Sequence, residues 1–129
     1  MKNNSFTVAV LGAGNIGSAV IERLLEVDNE VLNLSLSKVL VSDLSKERDI
    51  DGGLLTTDFD EILNDENIDL VIEVLGGVEP GKGYIKDLLE SGKSVITANK
   101  DIVADCGSEL IQIAQKNNVC LYFEAAVAA

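Results

Sequence analysis

Three glycines, Gly12, Gly14 and Gly17, with Ala13, Asn15 and Ile16 between them, are the residues whose types and spacing most directly point to chemistry. They spell G-x-G-x-x-G, a loop that holds a pyrophosphate. The first glycine allows a sharp turn, the second lets the backbone approach a diphosphate that any Cβ would push away, and the third lets a helix pack closely on a strand. Unpaired N–H groups and the positive end of the helix dipole then attract the anion without any lysine or arginine. Taken alone the pattern also fits an ordinary glycine-rich turn, so its setting decides. An apolar run from Phe6 to Leu11 enters the loop without a spacer, and Ile16, Val20, Leu24 and Val27 leave it at helical spacing, with Glu22, Arg23 and Glu26 between them. Strand, tight turn and amphipathic helix is the dinucleotide-binding arrangement.

Further candidates stand where other strands end. Val39 to Val41 reads as a short buried strand ending at Ser42 and Asp43, where a Rossmann fold places its specificity residues. Asp43 lies 26 residues past Gly17, against a usual spacing of about 20, and an acid here would bond the adenosine ribose. It also fits a turn or cap residue. In the charged loop that follows, Lys46 and Arg48 are within reach of a 2′-phosphate, or form a solvated face. Asp69 to Leu75 is a second long strand and ends on the glycine pair Gly76 and Gly77. Glu73 alternates within this strand and fits either a polar cavity or a partner at the sheet surface, the latter being the expected outcome. Ser94 to Thr97 is a strand running into Ala98, Asn99 and Lys100, so Thr97, Asn99 and Lys100 join the cofactor-binding candidates.

The elements that must position these residues form an α/β fold. The expected architecture is a Rossmann-type doubly wound, mainly parallel sheet of about six strands with helices on both faces. In the order 3-2-1-4-5-6, the strands ending at Leu11 and Leu75 are neighbours, so the two glycine loops face each other across a cleft. The pattern also predicts an edge strand at Leu54 to Thr56, and a helix capped by Asp58 with Glu61 as capping partner. A further helix opens at Pro80 and carries Tyr84, Ile85, Leu88 and Leu89. Another contains Leu110, Ile111 and Ala114, and a last strand covers Val119 to Glu124. The segment from Asp28 to Ser37 has no clear assignment.

Composition narrows the function. At 129 residues the chain is one ordinary domain, 1–129. Twenty-two acidic residues against 10 basic ones give a net charge of −12, so nucleic acid and anionic membrane surfaces are poor partners. With no histidine, a histidine base, a Ser-His-Asp triad and an imidazole metal site are all excluded. Cys106 and Cys120 are far apart and read as small core residues. No apolar run reaches membrane-spanning length, and a cytoplasmic location is expected.

Four stretches together, GAGNIG at Gly12 to Gly17, EVLGG at Glu73 to Gly77, ITANK at Ile96 to Lys100 and EAAVA at Glu124 to Ala128, resemble the nucleotide-binding domain of homoserine dehydrogenase. The resemblance implies an oxidoreductase that uses NAD or NADP to interconvert L-homoserine and L-aspartate 4-semialdehyde, for threonine and methionine biosynthesis, as a homodimer. It implies that Lys100 sits beside the nicotinamide with a catalytic role, which suits an ammonium that can donate to a developing alkoxide. It also implies that the segment of Glu124, Val127 and Ala129 binds a monovalent cation, such as Na+, through backbone oxygens. The chain stops within that segment, so it is expected to be cut from a longer protein whose substrate and dimerisation region is absent. Cofactor binding without turnover follows as the expectation. Ser42 departs from the family, which often has an arginine there, and Ser42 with Asp43 tilts the preference toward NAD.

Two other readings remain: a non-catalytic module that senses NAD(H), and another amino-acid-pathway dehydrogenase. A dehydrogenase with a cysteine nucleophile fits poorly, because Cys106 and Cys120 fall outside the expected strand ends.

Overall fold

A computed structural model describes residues 6–26, 33–46 and 48–123. Six strands, β1 (Phe6–Leu11), β2 (Leu34–Leu40), β3 (Leu55–Thr56), β4 (Leu70–Glu73), β5 (Ser94–Thr97) and β6 (Leu121–Phe123), form one sheet in the order β3-β2-β1-β4-β5-β6. Every pair is parallel. Parallel neighbours need crossover connections, and four helices supply most of them: α1 (Asn15–Glu26), α2 (Phe59–Leu63), α3 (Gly81–Glu90) and α4 (Lys100–Lys116). The Rossmann-type expectation and its strand order are met.

Side-chain alternation divides the core between the two faces of the sheet. Ala9, Leu11, Val71 and Val95 point to one face, where they pack with Ile62 of α2, Ile85, Leu88 and Leu89 of α3, and Ile102 and Leu110 of α4. Val10 and Val39 point to the other, where they pack with Ile21 of α1. Three helices therefore cover one face and α1 covers the other. Among the described residues, fourteen buried ones form the larger cluster and four the smaller, so most of their apolar stabilisation lies on the α2–α3–α4 side.

Several local expectations change. The helix face that α1 buries runs through Gly17 and Ile21 with Val20 and Leu24 partly covered, while Ile16 is 60% exposed. The close approach of Gly17 to the strand turns that stripe inward. Val27 lies outside the described residues. β2 begins at Leu34, not Val39: the alternation of Leu34 and Leu36 with Ser35 and Ser37 is the half-covered start of the strand. Leu54 belongs to a short 3-10 turn, Gly52–Leu54, ahead of β3. Asp58 does cap α2, accepting from the Asp60 N–H, but the Glu61 carboxylate lies 3.8 Å from Lys38 Nζ instead of closing a capping box. Ile111 is 40% exposed. Cys106 is buried at a kink in α4, where its backbone leaves the helical region, whereas Cys120 is exposed and no core residue.

Candidate functional site

At the carboxyl edge of the sheet, β1, β2 and β4 open into a cleft of about 430 Å³. Gly12, Ala13 and Gly14 form one wall, Val74, Leu75 and Gly76 the opposite one, and Val41 and Ser42 continue the rim. This is the crevice expected where strand order reverses between β1 and β4.

The first loop is shaped by atoms it lacks. Gly12 has φ +107° and donates its N–H to Leu40 O at 2.9 Å. A Cβ on Gly17 would lie 2.3 Å from Gly12 O, so only glycine lets the first turn of α1 pass this close to the strand end. A Cβ on Gly14 would meet nothing within 4 Å. That emptiness lies in the cleft wall at the start of α1, where a diphosphate needs room. The residues present thus form a cradle that fits a dinucleotide.

The second loop is held by a buried polar group. Val71 and Glu73 point to the same face by strand alternation, so Glu73 enters the helical layer instead of finding a partner at the sheet surface. It is 0% exposed. Register places it beside Thr97 of β5, whose hydroxyl donates to Glu73 Oε1. Glu73 Oε2 accepts from Leu75 N–H at 2.9 Å and Asn99 Nδ2 at 3.3 Å. Burial pushes the Glu73 carboxyl above its ordinary pKa, against the opposing pull of the bonds from Thr97, Asn99 and Leu75.

Asn99 joins this group to α4. Its Nδ2 also reaches Leu75 O at 3.0 Å and Gly77 O at 2.6 Å. Its Oδ1 accepts from the N–H groups of Asp101 and Ile102, the first turn of α4. Lys100, the first residue of α4, is exposed beside this cap.

The candidates therefore separate into groups. Gly12, Gly14, Ser42 and Gly76 line the cleft, and Gly17 is buried against Gly12. Asn15 faces an adjoining hollow between α1 and the Lys46–Arg48 loop, while Ile16 lies on the outer flank of α1. Gly77, Thr97 and Asn99 belong to the Glu73 network behind the second wall. Asp43 is exposed next to Ser42, outside the lining. Its Oδ1 accepts from Ser45 Oγ and Ser45 N–H, which lower its pKa, with Arg48 and Lys46 adding to the effect. Lys46 and Arg48 line both the cleft and the hollow. Arg48 Nη1 bonds Asp43 O at 2.7 Å, which folds the loop back toward the cleft. Glu124, Val127 and Ala129 lie outside the described residues. Among the described residues no group of three or more Cys, Asp or Glu side chains could hold a metal ion, and no helix is long and apolar enough to cross a membrane.

A glycine cradle at the start of α1, facing a second glycine loop at the strand-order reversal, defines a nicotinamide-dinucleotide-binding Rossmann domain. Residues 12–124 match the family described as homoserine dehydrogenase, NAD binding domain. The chain belongs to that family. It is 42% identical over 128 residues to homoserine dehydrogenase of Bacillus subtilis, covering 94% of this chain and 30% of the relative. The Mycobacterium tuberculosis enzyme is 45% identical over 127 residues, covering 94% and 29%. The crystal structure of Staphylococcus aureus homoserine dehydrogenase at pH 6.0 superposes with a TM-score of 0.85 at 38% identity, over 95% of this chain and 33% of that one. The chain thus spans about a third or less of each of these three proteins.

Proposed function

We propose that this domain binds NADP(H) in the cleft between its two glycine loops, and that within a full-length, cytoplasmic and homodimeric homoserine dehydrogenase it serves the interconversion of L-homoserine and L-aspartate 4-semialdehyde. The observation that carries the reading is the convergence of both glycine loops on one crevice, with Lys100 joined through the Asn99 cap to the second loop.

Gly12, Gly14 and the first turn of α1 hold the pyrophosphate. Ser42, Lys46 and Arg48 receive the adenosine end. Two cationic side chains line the cleft while the Asp43 carboxylate is bonded to Ser45 outside it. That balance favours a 2′-phosphate and NADP(H), against the preference for NAD that Ser42 and Asp43 suggest in the sequence. When bound, the nicotinamide supplies or accepts the hydride. Lys100 then holds the substrate oxygen by its ammonium, donating a proton or a hydrogen bond as charge develops on that oxygen.

Calorimetric titration of the 129-residue chain with NADPH and NADH at one ionic strength tests the binding. Saturable binding with NADPH the tighter ligand is expected. No binding of either ligand overturns the reading, and tighter NADH binding overturns the assignment of Lys46 and Arg48. The isolated domain is expected to show no homoserine turnover. In the full-length enzyme Lys100→Met should lower kcat by about 10²- to 10⁴-fold while cofactor affinity is retained. Full activity of that variant would remove Lys100 from the chemistry.

A further inference from the structure

Glu73 lies outside the proposed chemistry, yet it is a buried acid on an otherwise apolar strand, surrounded by three donors from separate points of the chain. It also limits its surroundings: a Cβ on Gly81, at the start of α3, would sit 3.1 Å from Glu73 Oε2 and 2.9 Å from Ile102 Cδ1. The elements packed around it face it with Leu11 of β1, Thr97 of β5, Gly81 of α3, and Asn99 with Ile102 at the start of α4. Among the described residues no charged side chain contributes to its titration. Its position is therefore maintained by hydrogen bonds, not by an ion pair.

We infer that Glu73 is the positioning residue of the cleft's second wall: its carboxylate fixes the Leu75–Gly77 loop directly and, through Thr97 and Asn99, fixes the first turn of α4 that carries Lys100. The inference rests on the reading that this cleft binds a nicotinamide dinucleotide. The mechanism is a matter of donor count. An ionised carboxylate accepts from the Thr97 hydroxyl, the Asn99 amide and the Leu75 N–H at once. A glutamine of the same shape keeps one oxygen for Leu75 and Asn99 and turns its own NH₂ toward Thr97. The Thr97 hydroxyl then has to accept from that NH₂ while already accepting from Asn99 N–H at 3.1 Å. The hydroxyl can accept both donors, but its own proton has lost the Glu73 acceptor and is left unpaired in a buried site, and the β5–α4 junction shifts. Protonation of Glu73 has the same consequence as the amide, so the wall is tightest when Glu73 is ionised.

The test uses Glu73→Gln in the 129-residue chain, with NADPH as the titrant and thermal unfolding measured alongside, between about pH 5 and about pH 8. Glu73→Gln should bind NADPH about tenfold more weakly at the alkaline end, and the gap should narrow as pH falls. Its thermal midpoint at the alkaline end should not fall below that of the wild type, because the amide avoids the cost of burying a charge. Weaker binding in an undiminished fold is an outcome that a purely structural role does not produce. Equal affinity across the range, or a gap that does not change with pH, overturns the inference. If Glu73→Gln does not fold, Thr97→Val removes the same hydroxyl contact, and unchanged NADPH affinity in that variant overturns it equally. Absence of binding by the wild type would instead overturn the cofactor reading itself.

Discussion

The loop at Gly12–Gly17 is shaped by side chains that are missing, whereas the loop at Leu75–Gly77 is held by side chains that stand elsewhere in the chain. In the first, the backbone of α1 presses on the backbone of the β1 end, and the contact tolerates no added carbon at Gly17. In the second, Leu75 and Gly77 are anchored by Glu73 and by Asn99 more than 20 residues further on. Steric fit is local, so it leaves a motif. A hydrogen-bonded clamp recruits partners through the fold.

The sharpest way to break the first loop is Gly17→Ala. The new methyl would have to displace backbone, so a loss of about 3 kcal/mol in urea denaturation is expected, together with loss of NADPH binding. Gly14→Ala is the control within the same motif. With nothing inside 4 Å of its new Cβ, it should change stability by less than about 1 kcal/mol while still removing NADPH binding in calorimetry. If Gly14→Ala keeps NADPH binding, or loses it only together with stability, that glycine serves folding only.

The second loop should fail more gradually. Asn99→Ala removes the α4 cap and the bonds to Leu75 O and Gly77 O, at a cost of about 2 kcal/mol by the same denaturation assay. NADPH affinity should fall in parallel but remain measurable, because the first loop still receives the pyrophosphate. Complete loss of binding would make the two loops equal partners and end the contrast.

The smallest effect concerns the pH dependence of stability. Folding raises the Glu73 pKa above its ordinary value of 4.5, so the folded state binds that proton more tightly than the unfolded chain. The contribution is complete below about 4.5 and disappears as pH rises through the folded-state pKa. Stability of the wild type relative to Glu73→Gln should therefore decline with rising pH, as read from urea midpoints. A wild type that gains on the variant with rising pH would mean that the three donors outweigh burial.

What could be read from the sequence follows the same division. The first loop, the strand order and the row of residues at the carboxyl ends were all legible, because glycine spacing and apolar runs are local patterns. The surroundings of Glu73 were only half legible: its alternation within DLVIEVL allows a polar cavity, yet a surface partner is the expected outcome, since desolvation is costly and its three donors cannot be seen in the strand itself. The alternation with Val71 was the available signal, placing Glu73 on the buried face. The face of α1 was misjudged for a related reason. Counting from Ile16 gave a plausible stripe, but the contact of Gly17 with Gly12 sets the rotation and brings Ile21 inward. Ser35 and Ser37 hid the start of β2, where burial is still partial.

The Asn99 cap has a consequence for how a ligand enters. Four helices begin at this edge of the sheet, and the dipole of each favours an anion at its start. At α2 the Asp60 N–H is already taken by Asp58 Oδ1. At α4 the first-turn N–H groups of Asp101 and Ile102 are already taken by Asn99 Oδ1. At α3 the start is Pro80 and Gly81, beside the Glu73 carboxylate. α1 instead starts directly after Gly14, which lies in the cleft wall with nothing within 4 Å of where a Cβ would stand. Under the proposed function the cleft is therefore directional, like a keyed socket: the phosphates seat at the α1 end, which leaves the opposite end of the molecule toward the second glycine loop.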